Sequence, residues 1–274
     1  MDIGIFLNRV RTPIGVLEWE VCMDIQYKKE YSYRLMRDME FKVYGQGGQP
    51  VLFFPCQNGR FYDFENFGML EPCRSYLDEG KMQLFTVDSI DAETWSKEDG
   101  DPAKRIDLHE KWFQYVTEEL VPQIIKINQK GQTAYKNSGI IAMGFSMGGY
   151  HSTNFFLRRP DIFSGNLSLS GLFEASYFFH GFMNPMVYHN SPCDYLRNMR
   201  LDHPYIAMYN ARKNVICMGR GAWEDEMVSS AGKLESIMKE KGIHAWFDYW
   251  GHDVSHDWYW WKKQLEYFLP YFLI

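Results

Sequence analysis

A serine between two glycines, Gly144-Phe-Ser146-Met-Gly148, is the clearest candidate for chemistry in this chain. Upstream, Ser138-Gly-Ile-Ile-Ala-Met143 is an apolar run of strand length. Downstream, Gly149-Tyr-His-Ser-Thr-Asn-Phe-Phe-Leu-Arg-Arg159 reads as a helix that stops before Pro160. Strand, sharp turn and helix make a nucleophile elbow, in which small flanking residues let the chain turn tightly enough to expose the hydroxyl above a sheet. In a chain with 22 glycines the pentapeptide alone carries little weight. Its place between a strand and a helix carries more. A hydroxyl is a weak nucleophile at neutral pH, and it needs a histidine to take its proton and a carboxylate to hold that imidazole in the right tautomer.

Both partners occur further along the chain. Gly219-Arg-Gly-Ala-Trp-Glu-Asp-Glu226 follows the apolar strand Val215-Ile-Cys-Met218 and offers Glu224, Asp225 and Glu226. The same carboxylates would also favour the N-terminus of the next helix. Gly251-His-Asp-Val-Ser-His-Asp-Trp258 offers two histidines. His256 stands immediately before the final helix and is the preferred base, with His252 in reserve. A tetrahedral oxyanion needs two backbone N–H donors. The candidates are Met147, just after the nucleophile, and Cys56 or Gln57 in the loop after an earlier strand. The Cys56 thiol itself reads as a packed side chain rather than a reactive one.

The elements that must position these residues alternate between strand and helix. Glu40–Gly45 alternates polar and apolar residues, as a half-exposed antiparallel edge strand should. Gly45–Pro50 reads as a turn, Val51–Pro55 and Lys81–Asp88 as buried strands, and Cys56–Arg60 as a loop. Arg105–Gln129 spaces its apolar residues by three to four, which predicts an amphipathic helix kinked at Pro122. Gly165–Ser170 is the strand after the elbow helix, and Asn214–Met218 another. Met227–Lys241 predicts a helix ended by Gly242, His244–Trp250 a last strand, and Asp257–Phe268 a final helix before Pro270. Residues 171–205 have no clear period and read as an insertion over the site. Short apolar strands separated by helices imply a mostly parallel sheet covered on both faces. Ligands bind such sheets at the carboxyl ends of the strands, where the loops after Pro55, Phe145, Met218 and Trp250 converge.

The bulk properties narrow the partners. With 274 residues, 46% of them hydrophobic, the chain fits one α/β domain spanning 1–274. A net charge of −6 argues against nucleic acid or anionic membrane. The first residues lack a basic stretch followed by an apolar one, and no run approaches about 18 apolar residues. The expectation is a soluble cytoplasmic protein with no membrane segment. Cys22, Cys56, Cys73, Cys193 and Cys217 are scattered without C-x-x-C spacing, so they read as free thiols and no metal is expected. No cofactor is implied. Aromatic residues make up 17% of the chain and gather near the C-terminus, where a final strand and helix would lock onto the core.

The chain resembles the esterase branch of the α/β-hydrolases, which includes S-formylglutathione hydrolases, feruloyl and xylan-acetyl esterases, and mycolyltransferases. The likeness runs from about Glu40 onward. It rests on Gly144-Phe-Ser-Met-Gly-Gly-Tyr150, on Arg159-Pro-Asp-Ile-Phe-Ser-Gly165 leading into Leu167-Ser-Leu-Ser-Gly171, and on His256-Asp-Trp258. The resemblance implies an α/β-hydrolase fold, and the histidine of the family's His-Asp-Trp motif is catalytic, which matches His256. The family's acid loop usually reads Gly-x-x-Asp. Gly221-Ala-Trp-Glu224 matches it with glutamate, while a one-residue shift selects Asp225. The oxyanion loop departs from the family's His-Gly, having Pro55-Cys56 instead. The implied activity is a serine esterase working through an acyl-enzyme on a small-molecule or carbohydrate-linked ester. An acyltransferase with the same triad, or a binding protein on a hydrolase fold, are the alternatives.

Overall fold

The computed structural model describes residues 9–11, 17–19, 23–131, 133–134 and 139–273. The N-terminal residues read for a leader, Cys22 and the strand residue Ser138 lie outside the described residues. In chain order the strands are β1 (Arg9–Arg11), β2 (Leu17–Trp19), β3 (Ile25–Ser32), β4 (Arg37–Tyr44), β5 (Gly47–Phe54), β6 (Met82–Val87), β7 (Thr133–Ala134), β8 (Ile140–Phe145), β9 (Phe163–Leu169), β10 (Lys213–Met218) and β11 (Trp246–Tyr249). The helices are α1 (Asp63–Asn66), α2 (Arg74–Asp78), α3 (Pro102–Gln114), α4 (Val121–Lys130), α5 (Met147–Arg158), α6 (Ser176–Phe179), α7 (Pro185–His189), α8 (Pro192–Arg197), α9 (Pro204–Asn210), α10 (Asp225–Lys241) and α11 (Trp258–Leu273).

The main sheet runs β11-β10-β9-β8-β5-β6-β4-β3, with β7 beside β5. From β11 to β6 neighbouring strands are parallel, and β4 and β3 complete the sheet antiparallel. Successive residues of a strand face opposite sides, and each side here has its own apolar core. Leu52, Phe54, Ala142, Ile216 and Met218 pack toward α3, α4, α5 and α10. Val51, Phe53, Met143, Phe145, Val215 and Cys217 pack toward Phe64 of α1, Leu77 of α2 and Trp261, Leu265 and Phe268 of α11. The chain thus has the mostly parallel, doubly covered sheet of an α/β-hydrolase.

Several boundaries differ from the sequence expectation. β4 is not the edge strand, because β3 lies outside it in full register from Ile25 opposite Tyr44 to Ser32 opposite Arg37. The segment read as a turn before Val51 is already strand from Gly47. Pro50 is tolerated there because pairing with β8 begins only at Val51. Pro122 lies in the first turn of α4, and the helix absorbs the missing N–H through a π-helical stretch at Tyr115–Leu120. Helix α11 continues through Pro270, since both that ring and Glu266, whose carbonyl loses its donor, are exposed to water.

Residues 171–205 contain short helices where no period was visible. Each of α7, α8 and α9 begins with a proline, whose missing N–H costs nothing in a first turn. Asn190, fully buried after α7, ties them to the elbow helix. Its Oδ1 accepts from Asn154 Nδ2 at 2.8 Å and from Arg158 Nη1 at 2.7 Å, and its carbonyl accepts from the Tyr150 hydroxyl at 2.5 Å. His109 joins the same hub at 3.2 Å through Nε2. The Trp95 indole donates to His109 Nδ1 at 2.9 Å, so the ring proton sits on Nε2, facing Asn190. Burial, reinforced by His151 and then Arg158, holds the His109 pKa well below the usual histidine value, so the imidazole is neutral.

Candidate active site

Ser146 occupies the turn between β8 and α5 with φ of +56° and ψ of −123°. That left-handed conformation is unfavourable for a residue with a side chain, and the surrounding chain enforces it. The serine N–H donates to Leu169 O at 2.8 Å, and its carbonyl accepts from the N–H groups of Gly149 and Tyr150. The flanking glycines answer a steric demand. A Cβ on Gly144 would lie 2.0 Å from Gly148 O, and one on Gly148 would lie 2.1 Å from Phe54 O and 2.6 Å from Pro55 O. The end of β5 therefore presses directly on the first turn of α5, and Cys56 and Gln57 follow at once. Met147 is the first helical residue, so its N–H has no acceptor within the helix and belongs to the positive end of the helix dipole. The Gln57 side chain donates to Ser96 Oγ at 2.8 Å, which anchors the loop. Burial, then Asp63, pushes the Cys56 thiol pKa upward, so the sulfur stays protonated and poorly nucleophilic.

The loop after β11 carries the histidine toward the serine. His256 Nε2 lies 2.8 Å from Ser146 Oγ, and its ring lies nearly perpendicular to that of Trp261 with centroids 4.9 Å apart. Asp257 accepts from the Trp260 N–H at 3.1 Å and caps the start of α11. His252 is exposed on the same loop.

The acid loop is bound to the histidine loop along its backbone. Gly221 N–H donates to Val254 O at 2.8 Å, His256 N–H to Ala222 O at 3.0 Å, and Arg220 N–H to Gly251 O at 3.1 Å. This approach demands glycine, since a Cβ on Gly219 would fall 2.0 Å from Val254 O. Trp223, 84% exposed and at φ +67°, then turns the chain so that Glu224 points inward. Glu224 is fully buried, with Oε1 3.4 Å from His256 Nδ1. That separation is longer than an ordinary N–H···O bond, and Nδ1 has no hydrogen-bond partner among the described residues. Such bonds commonly tighten only when substrate binds. Asp225 and Glu226 are exposed in the first turn of α10.

The structure thus brings Ser146, His256 and Glu224 together and leaves His252 and Asp225 at the surface. Ser170, which in the sequence stands only as the end of a strand, donates its hydroxyl to Glu224 Oε1 at 2.5 Å. Gly219 and Gly221 form the contact between the two loops. The Gly-x-Gly spacing was visible, but its partner Val254 lies in another loop. Of the C-terminal aromatics, Trp261 and Phe268 are buried, whereas Trp258 lies nearer the surface and stacks on Phe67 at 4.3 Å with rings 5° from parallel. Among the described residues, no three His, Cys, Asp or Glu side chains gather as metal ligands.

Comparison with known proteins agrees with this architecture. A ferulic acid esterase superimposes with a TM-score of 0.69 at 17% identity, covering 92% of this chain and 98% of its own. An S-formylglutathione hydrolase from Agrobacterium tumefaciens gives 0.67 at 17% identity over 91% of this chain and 94% of its own. MPT51 of Mycobacterium tuberculosis gives 0.64 at 14% identity over 90% and 98%. At such identities the likeness concerns the fold. No curated protein matches the sequence. The model of the family described as "Putative esterase" matches residues 32–272, nearly the whole chain, which therefore belongs to that family of carboxylic ester hydrolases.

Proposed function

We propose that the protein cleaves a carboxylic ester through a covalent acyl-enzyme on Ser146. His256 Nε2 removes the hydroxyl proton as Oγ attacks the carbonyl carbon, and Glu224 stabilises the resulting imidazolium from the Nδ1 side. The oxyanion is held by the N–H of Met147 and that of Cys56 or Gln57, at the positive end of α5. His256 then gives its proton to the leaving alcohol; water next attacks the acyl carbon while giving a proton to His256, which returns it to Ser146 Oγ as the acyl–Oγ bond breaks and the carboxylic acid leaves. We place this chemistry in one domain, capped by the helices of residues 171–205, acting on a small-molecule or carbohydrate-linked ester in the cytoplasm. Free cysteines among the described residues suit a reducing compartment.

The observation that carries the reading is the 2.8 Å contact between His256 Nε2 and a serine held at φ +56°. A panel of acetyl, butyryl and feruloyl esters and a glutathione thioester tests it. Turnover of at least one, lost in Ser146→Ala, is the expected result; no turnover of any would count against it.

The acid can be tested separately. Glu224→Gln is expected to lower kcat by about 10²-fold or more, because a neutral amide cannot stabilise the imidazolium. Asp225→Asn should stay within about twofold of wild type, as an exposed carboxylate interacts weakly through water. Parallel steady-state assays decide between them, and the opposite order would assign the acid to Asp225.

A further inference from the structure

Glu224 is fully buried, and its Oε2 has no hydrogen-bond partner among the described residues. An ionised carboxylate stripped of water persists only where donors replace the lost hydration. Among the described residues, two groups face Oε1: the ring of His256 at 3.4 Å and the hydroxyl of Ser170 at 2.5 Å. Glutamate also has one more rotatable bond than aspartate, so its carboxylate needs more fixing to face an imidazole.

Ser170 is well placed to do this. It follows β9 directly, at φ +54°, and its N–H donates to Cys217 O at 2.7 Å on the neighbouring strand. A serine hydroxyl can donate or accept, so its backbone position alone does not say where the proton points. Trp261 removes that freedom. An indole N–H can only donate, and Trp261 Nε1 lies 3.0 Å from Ser170 Oγ. The oxygen accepts from Trp261, and the hydroxyl proton is directed to Glu224. The serine is buried and so is the indole, so water does not compete for either bond.

We propose that Ser170, its proton aimed by Trp261, is a positioning residue that holds the Glu224 carboxylate turned toward Nδ1 of His256. The proposal rests on Glu224 being the acid of the triad. The helix that carries the indole also follows the histidine loop. The acid and the base are thereby tied to one structural unit.

A double-mutant cycle tests whether Ser170 acts through Glu224. Ser170→Ala, Glu224→Gln and the double variant are assayed for kcat and KM on p-nitrophenyl acetate, with unfolding midpoints measured in parallel. Ser170→Ala is expected to lower kcat by about 10- to 100-fold with KM within about twofold, and to add no more than about twofold to Glu224→Gln. Equal losses in both backgrounds, or no loss in either, would overturn the proposal, because a merely structural role lowers activity whichever residue stands at 224. Should Ser170→Ala fail to fold, Trp261→Phe frees the hydroxyl to turn. It should cost about three- to tenfold in kcat in the wild-type background and nothing beside Glu224→Gln; the same cost in both overturns the proposal. A Glu224→Gln enzyme with wild-type kcat contradicts the triad reading itself, a result distinct from either pattern.

Discussion

Ser146→Ala is expected to reduce ester hydrolysis by about 10⁴-fold or more while leaving the fold and its unfolding midpoint nearly unchanged. A loss of that size corresponds to about 5.5 kcal/mol of transition-state stabilisation. It arises from the removal of the nucleophile, since the residual rate then depends on water and the oxyanion donors alone. The fold should tolerate the change because the side chain is only partly buried, at the end of β8 rather than within either core. What holds the elbow is backbone: the Ser146 N–H on Leu169 O at 2.8 Å, and glycines whose positions admit no Cβ. Steady-state assays beside circular dichroism check both halves. A mutant that keeps wild-type activity would remove Ser146 from the mechanism.

His256→Ala should cost as much as the serine variant, because the two groups act as a unit and neither functions without the other. His252→Ala should stay within about twofold. The contrast arises from placement: His256 Nε2 is 2.8 Å from Ser146 Oγ, whereas His252 is exposed at the start of the same loop. The backbone also differs, since His256 N–H is fixed to Ala222 O at 3.0 Å. Measuring kcat/KM for both variants on one activated ester is sufficient. A larger loss at His252 would mean that the loop rearranges to present the other ring.

What could be read in the sequence was local, and what escaped it depends on contacts between distant segments. The elbow is a pentapeptide between a strand and a helix, so its glycines can be read directly. The mostly parallel sheet likewise emerges from short apolar runs such as Ile140–Phe145 alternating with helices. Strand β3 was missed because most of its side chains face water, which leaves little apolar pattern. The choice between Glu224 and Asp225 was open because both lie in one polar run. Their directions diverge only through the left-handed turn at Trp223. Asn190 could not be read as a hub, since the side chains it meets stand 32 to 81 residues away in sequence. Ser170 was hidden for the same reason, with its partners at Glu224 and Trp261 lying 54 and 91 residues further on.

The measurement that bears most directly on the central claim is capture of the acyl-enzyme. The protein is mixed with p-nitrophenyl butyrate, quenched in acid within the first turnovers, and weighed intact before digestion and peptide mapping. One butyryl group per chain, located on the peptide containing Ser146 and absent from Ser146→Ala, is the predicted result. A butyryl group on Cys56 or another residue, or turnover that leaves the Ser146 peptide unmodified throughout, would contradict covalent catalysis by this serine.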